Sequence, residues 1–306
     1  MSNIVITSGK KYIDIDAYAG CIAYATLLRK QGLSAYAVTT AVLNESIPQI
    51  IKDISLKLDE YKPNDYDKFI ILDVSDPNMF DEIVNIKNII RVIDHHTAFE
   101  DYWAERESNE EIEKAEIEFI GSICTNIYEK FMESNHTELL TKDICKLLTA
   151  GILDNTLNLK ASITTKRDID AFNELIRIGN LDELWAKEYF DACEEEILND
   201  LELAIINDIK NARENKNLPD IFGQLAIFNS DKILNQIELI EDVFKKYDNW
   251  MINIISLKDG KSYIITDSTK AKITLEKLFN LTFNGDILTL NKFMLRKEII
   301  KKASEL

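Results

Sequence analysis

Short β-branched apolar runs alternate with helix-length segments in this chain, and each run leads into carboxylates or imidazoles, which leaves little choice of fold. Ile4-Val5-Ile6-Thr7 passes through a polar loop to Asp14-Ile15-Asp16, and Phe69-Ile70-Ile71-Leu72 runs straight into Asp73. The stretch Asn88-Ile89-Ile90-Arg91-Val92-Ile93 ends in Asp94-His95-His96. Runs of that length and composition read as buried strands. After the first, residues 17–30 carry small and apolar side chains at helical spacing and stop before Gly32. Strand, loop and helix in alternation imply an α/β chain with a doubly wound, mainly parallel sheet. Such sheets place ligands just beyond the carboxyl ends of their strands, where these polar residues fall.

The same reading continues along the chain. Residues 34–42 and 116–120 are expected as strands, and residues 47–58, 122–132, 143–153 and 164–177 as helices. The 143–153 helix is apolar on most sides and presents Asp154 at its end. Residues 181–211 are long, polar and weakly patterned. A second, smaller α/β set follows the Leu218-Pro219 turn: strand 222–228, helix 233–247, strands 251–257 and 262–266, and a basic tail. The expected organisation is a first domain over residues 1–180, a helical linker over 181–217, and a C-terminal domain over 218–306, with the active site in the cleft between the domains.

A net charge of −17 on 306 residues opposes binding of long nucleic acid through a broad basic face. Acid-rich residues 105–118 read as a solvated face. No apolar run is long enough to span a membrane, and the start lacks a basic, apolar signal segment, so the expectation is a cytoplasmic protein without membrane contact. Four cysteines stand far apart with no C-x-x-C pair and read as small buried apolar residues.

Asp14, Asp16, Asp73, Asp94, His95, His96 and Asp154 would converge at one end of a parallel sheet. Carboxylates gathered in one place repel unless cations lie between them. Oxygen donors with one or two imidazoles suit manganese, magnesium or cobalt better than thiolate-seeking metals. Each acid also has a local explanation: Asp14 or Asp16 as a helix N-cap, Asp73 and Asp76 as turn formers before Pro77, Asp154 as a helix-end residue. His136 sits in a polar stretch and reads as a surface loop residue.

The ordered set resembles the DHH-family phosphoesterases, in the branch that holds the manganese-dependent (family II) inorganic pyrophosphatases and related exopolyphosphatases. Its carriers are Asp14-Ile15-Asp16, Asp73, Asp94-His95-His96, Gly121-Ser122 and Gly151-Ile152-Leu153-Asp154-Asn155-Thr156, then Asp208-Ile209-Lys210, Gly223-Gln224-Leu225 and Arg296-Lys297. The resemblance implies two manganese ions, with magnesium or cobalt as substitutes. Asp14 and Asp73 fall on ligands of the first, and Asp16, Asp73, His95 and Asp154 on ligands of the second. It places His96 at phosphate or the leaving oxygen, groups Asp94 with the catalytic residues, and gives Lys210, Arg296 and Lys297 the part of a phosphate clamp. Read from the residues alone, Arg296 and Lys297 belong to the wet side of an amphipathic tail. The chain also departs from the pyrophosphatase pattern. Lys10 stands where a ligating histidine is expected, Leu295 and Glu298 stand where the tail has serine and a second lysine, and Val74-Ser75-Asp76 follows Asp73 in place of His-Asn-Glu.

The expectation is a metal-dependent hydrolase of a phosphoanhydride, pyrophosphate or short polyphosphate, acting through metal-activated water on a small phosphate-containing substrate. The alternatives are a phosphodiesterase on short oligonucleotides or linear dinucleotides, and a catalytically weak phosphate-binding protein. A homodimer is compatible with all three.

Overall fold

The computed structural model describes residues 2–211 and 217–305, and the chain divides into two units between Tyr189 and Phe190. In the first unit the order is β1 (Ile4–Thr7), β2 (Tyr12–Ile13), α1 (Ile15–Lys30), β3 (Ala35–Ala37), β4 (Val42–Leu43), α2 (Gln49–Lys52), β5 (Lys68–Leu72), β6 (Ile89–Asp94), α3 (Glu100–Ser108) and β7 (Lys114–Ile117). Helices α4 (Ile123–Glu133), α5 (Lys142–Asn155) and α6 (Lys166–Gly179) follow, and α7 (Trp185–Asn199) carries the chain into the second unit. The main sheet has the order β3-β1-β5-β6-β7 with every pair parallel. This is a doubly wound arrangement whose strand order reverses at β1, so loops after β1 and β5 open on the same crevice. β2 and β4 pair separately as a small parallel ribbon just before Asp14.

Burial explains the composition of the elements. α1 is buried along nearly all its length, so its small residues Ala17, Ala19, Gly20, Ala23 and Ala25 allow α4 and α5 to approach. Gly151 marks the tightest point: a Cβ there would stand 2.4 Å from Cys124 Sγ. α4 is amphipathic, burying Ile123, Ile127 and Phe131 on one side. All four cysteines are buried and unbridged, as their spacing implied.

The second unit continues with α8 (Leu201–Asp208), β8 (Lys210–Asn211), β9 (Ile221–Ile227), α9 (Asp231–Leu234), α10 (Ile237–Phe244), β10 (Trp250–Ser256), β11 (Lys261–Ile265), α11 (Thr269–Phe279), β12 (Ile287–Leu290) and α12 (Arg296–Ser304). Its sheet runs β12-β11-β10-β9-β8, with β9 and β10 parallel and the other pairs antiparallel. β10 is buried at every position, as a central strand covered on both faces must be. Ile205, Ile240 and Phe244 fill one core of this unit, and Ala271, Leu275 and Ile299 belong to another.

Several boundaries differ from the expectation for physical reasons. Residues 190–208 do not stand apart as a linker, because Ile197, Leu201, Ala204 and Ile205 belong to the second unit's core. Residues 212–216 of the expected linker lie outside the described residues. The strand expected over 34–42 splits where Asp81 takes the backbone N–H of Thr40 (2.7 Å) and the hydroxyl of Thr39 (2.8 Å). Only Gln49–Lys52 of the helix expected over 47–58 forms. The acidic stretch holds helix α3, anchored by Trp103, which is fully buried and donates its indole N–H to Ser75 O at 2.7 Å. The C-terminal segment holds α11 and β12, which the pattern reading passed over. Among the described residues no helix is long and apolar enough to cross a membrane.

Candidate metal centre

Several elements of the first unit deliver one polar group each. Asp14 caps α1, its Oδ1 accepting the Ala17 N–H at 3.1 Å. β5 ends at Leu72, and Asp73 turns the chain with φ +63°, a left-handed conformation that aspartate adopts more readily than most non-glycine residues. Its N–H donates to Ile93 O at 2.9 Å, which ties the turn to the end of β6. Asp76, by contrast, is the turn former, capping the short helix Pro77–Met79.

His95 is the best-defined ligand. Its Nδ1 lies 3.0 Å from Ile120 O, and because a carbonyl only accepts, Nδ1 carries the proton. Nε2 therefore turns a lone pair toward Asp73 Oδ1, 3.1 Å away. Both atoms are buried and neither is satisfied by a well-directed hydrogen bond. Facing each other out of water, these two atoms need a positive charge between them, which a proton on Nε2 or a metal ion in its place supplies. Burial alone would push the His95 imidazole down, but contact with Asp73 outweighs it and holds the group up, to about 10. Manganese takes carboxylate oxygen readily and accepts an imidazole nitrogen beside it, so the residues present fit that ion.

The surrounding charges agree. Burial, and next the charge of Asp14, push Asp73 and Asp154 each up to about 7. Asp14 is raised as well, by burial first and then by Asp16. Asp154 stands on the last turn of α5, with Oδ1 accepting the Tyr189 hydroxyl at 3.0 Å. Carboxylates that raise one another mark a place short of positive charge.

Asp94 has a different task. It is buried, and its Oδ1 accepts the backbone N–H of His95 (2.7 Å) and His96 (3.1 Å) and the Nδ1–H of His96 (2.9 Å). Burial opposes its charge, yet the His96 hydrogen bond and the imidazole's charge hold it below the usual carboxylate range. Asp94 thus orients both histidines, while the His96 ring is 58% exposed. Asp73, Asp94, His95 and His96 bring four ligand atoms within 4.8 Å of one another.

Asp16 faces elsewhere. Its Oδ1 accepts Ser122 Oγ–H at 2.6 Å and Cys124 N–H at 3.0 Å, and its Oδ2 accepts Ile123 N–H at 2.9 Å and the Asn155 amide. It is buried and anchors the N-terminus of α4. The expected donor position at Lys10 is exposed, with its N–H bonded to Met79 O at 2.9 Å.

In the second unit Arg296 is 9% exposed and turned inward. Its Nη1 donates to Asp208 Oδ2, Asp208 O and Phe222 O, all at 2.8 Å, and its backbone N–H donates to Gln224 Oε1 at 2.6 Å. The guanidinium expected in a phosphate clamp here joins α8, β9 and α12. Lys297 is exposed on the first turn of α12, with its ammonium pushed down by desolvation, and Lys210 is exposed on β8.

Sequence reasoning gave no part to Tyr189 or Asp168. Asp168 is fully buried and accepts Gly121 N–H (3.0 Å), Thr125 Oγ1–H (2.7 Å) and Thr165 N–H (2.7 Å), which fixes the turn presenting Ile120 O to His95. The Thr165-x-x-Asp168 capping box was the available signal. Tyr189 left none, because nothing local distinguishes a core tyrosine from one that reaches a carboxylate.

Residues 3–152 match the DHH family, N-terminal domain. A probable manganese-dependent inorganic pyrophosphatase of Bacillus mycoides is 23% identical over 97% of this chain and 96% of its own length, and a Bacillus cereus protein of the same name matches equally. A Methanococcus jannaschii protein provisionally described as a family II inorganic pyrophosphatase shares the fold with a TM-score of 0.66 at 21% identity, over 100% of this chain and 99% of that one. A Bacteroides fragilis exopolyphosphatase-related protein covers 99% of this chain and 91% of its own, with a TM-score of 0.53 at 13% identity. The stretch that matches the DHH family model thus lies within the first unit and includes Asp94-His95-His96 at the end of β6.

Proposed function

We propose that the protein is a manganese-dependent hydrolase of phosphoanhydrides, acting on pyrophosphate or short polyphosphate in the cytoplasm. One observation carries this reading: the buried, mutually facing Asp73 Oδ1 and His95 Nε2 at the carboxyl edge of a DHH-domain sheet. The names of the relatives, manganese-dependent inorganic pyrophosphatases, support the substrate class. Asp73 and His95 would hold the ion, with Asp14 and Asp154 as the neighbouring carboxylates. When bound, the ion lowers the pKa of a water and polarises phosphoryl oxygen. Asp94 keeps the proton of His96 on Nδ1, so Nε2 of that half-exposed ring is the atom offered to a phosphate or leaving oxygen.

A second reading has one observation behind it. Phe119 is 66% exposed, one residue before the Ile120 carbonyl that orients His95, and an exposed aromatic ring there is a stacking surface for a nucleobase. Incubation with manganese and ion-exchange separation of products from pyrophosphate, tripolyphosphate and a linear dinucleotide tests both. Loss of either anhydride carries the first reading, selective loss of the dinucleotide carries the second, and no turnover of any of them sinks both.

A further inference from the structure

We infer that this chain holds a single divalent ion, between Asp73 and His95, and that Asp16 is a structural anchor of α4 rather than a metal ligand; the inference rests on the metal reading of the site. The argument is a count of lone pairs. An ionised carboxylate offers about four acceptor sites. Asp16 has four donors on them: Ser122 Oγ and Cys124 N on Oδ1, Ile123 N and the Asn155 amide on Oδ2. Two are backbone N–H groups at the start of α4, where the helix end itself favours a carboxylate. Moving Asp16 onto an ion would strand these donors in a place that is 1% exposed to water.

The two-ion expectation assigned Asp14, Asp73 and the position of Lys10 to one ion, and Asp16, Asp73, His95 and Asp154 to the other. An ammonium has no lone pair to offer at neutral pH, and Lys10 is exposed. Without Lys10 and Asp16, the first set keeps Asp14 and Asp73 and the second keeps Asp73, His95 and Asp154, and of these side chains Asp73 and His95 are the two with a buried atom left without a hydrogen bond. His95 Nε2 and Asp73 Oδ1, whose side chains are 5% and 7% exposed, define its place.

The test is the ion count of the full-length protein equilibrated with manganese, read by metal analysis after dialysis and by electron paramagnetic resonance. One manganese per chain with the six-line spectrum of an isolated ion is expected; two per chain with an exchange-coupled spectrum overturns the inference. Asp16→Asn should keep the ion and lower the melting temperature, because an amide nitrogen would meet donors. A folded Asp16→Asn protein that has lost its ion overturns the anchor role, and the wild-type count decides if this variant does not fold. Two ions together with pyrophosphate turnover remove this inference and leave the hydrolase reading standing. One ion without turnover does the reverse.

Discussion

Gly151 is where the packing around the site can be tested most sharply. An alanine there would set its Cβ 2.4 Å from Cys124 Sγ, 3.0 Å from Asp16 Oδ1 and 3.2 Å from Asp16 Cα. Within a helix, alanine is favoured over glycine by about 1 kcal/mol. Overpacking a filled core costs about 1–3 kcal/mol, and here the upper part applies because one neighbour is backbone and another a carboxylate held by four donors. The expected net loss is about 2 kcal/mol, or roughly 4–8 °C in melting temperature for a unit of this size. Removing the sulfur makes room, so Gly151→Ala combined with Cys124→Ala should fall short of the sum of the single effects by about 1–2 kcal/mol. Urea unfolding of the three variants, followed by circular dichroism without metal, measures this. A Gly151→Ala protein as stable as wild type, or strict additivity in the double variant, would refute the close approach of α1, α4 and α5.

Other outcomes follow from the same geometry. Arg296→Ala leaves Asp208 and the Phe222 carbonyl without their partner and should cost the second unit about 3 kcal/mol by thermal unfolding, whereas a loss of activity alone at full stability would restore the clamp role. Asp73→Ala should abolish turnover and manganese binding together, and retention of bound manganese by dialysis would remove Asp73 from the ligands. Because Asp73 and Asp154 are held up to about 7 by burial, the folded ion-free protein binds protons more tightly than the unfolded chain between about pH 4 and pH 7. Their contribution to stability therefore fades as pH rises through that window, while manganese affinity rises because ligands must shed protons. Calorimetry in buffers of different ionisation heat should show proton release on manganese binding at pH 6.5, and an affinity independent of pH from 6 to 8 would contradict it.

How far the sequence could be read depended on how local each signal was. β1, β5 and β6 announce themselves because parallel strands covered on both faces read as nearly continuous apolar runs, and Asp73 and His95 follow those strands directly. The division of labour between Asp14 and Asp16 was not legible, since both are acids at the start of one helix. What separates them is the N-terminus of α4, more than 100 residues away in the chain. Arg296 misled for a related reason: a cationic pair at a helix start looks the same whether its guanidinium meets a ligand or Asp208. The linker was misjudged because its burying residues, Ile197, Leu201 and Ile205, are diluted by acids on the outer face of α7 and α8.

The inner position of β1, between β3 and β5, also bears on how the protein is made. One flank of this strand is covered by β3, complete at residue 37, but the other waits for β5, which ends at residue 72. At about 5–20 residues per second, the ribosome needs roughly 2–7 s to add the 35 intervening residues. For that interval the emerging chain carries an apolar strand with one row of backbone groups unpaired, the kind of edge to which other chains adhere. A strand that is internal in the finished sheet is thus an open edge for part of its synthesis.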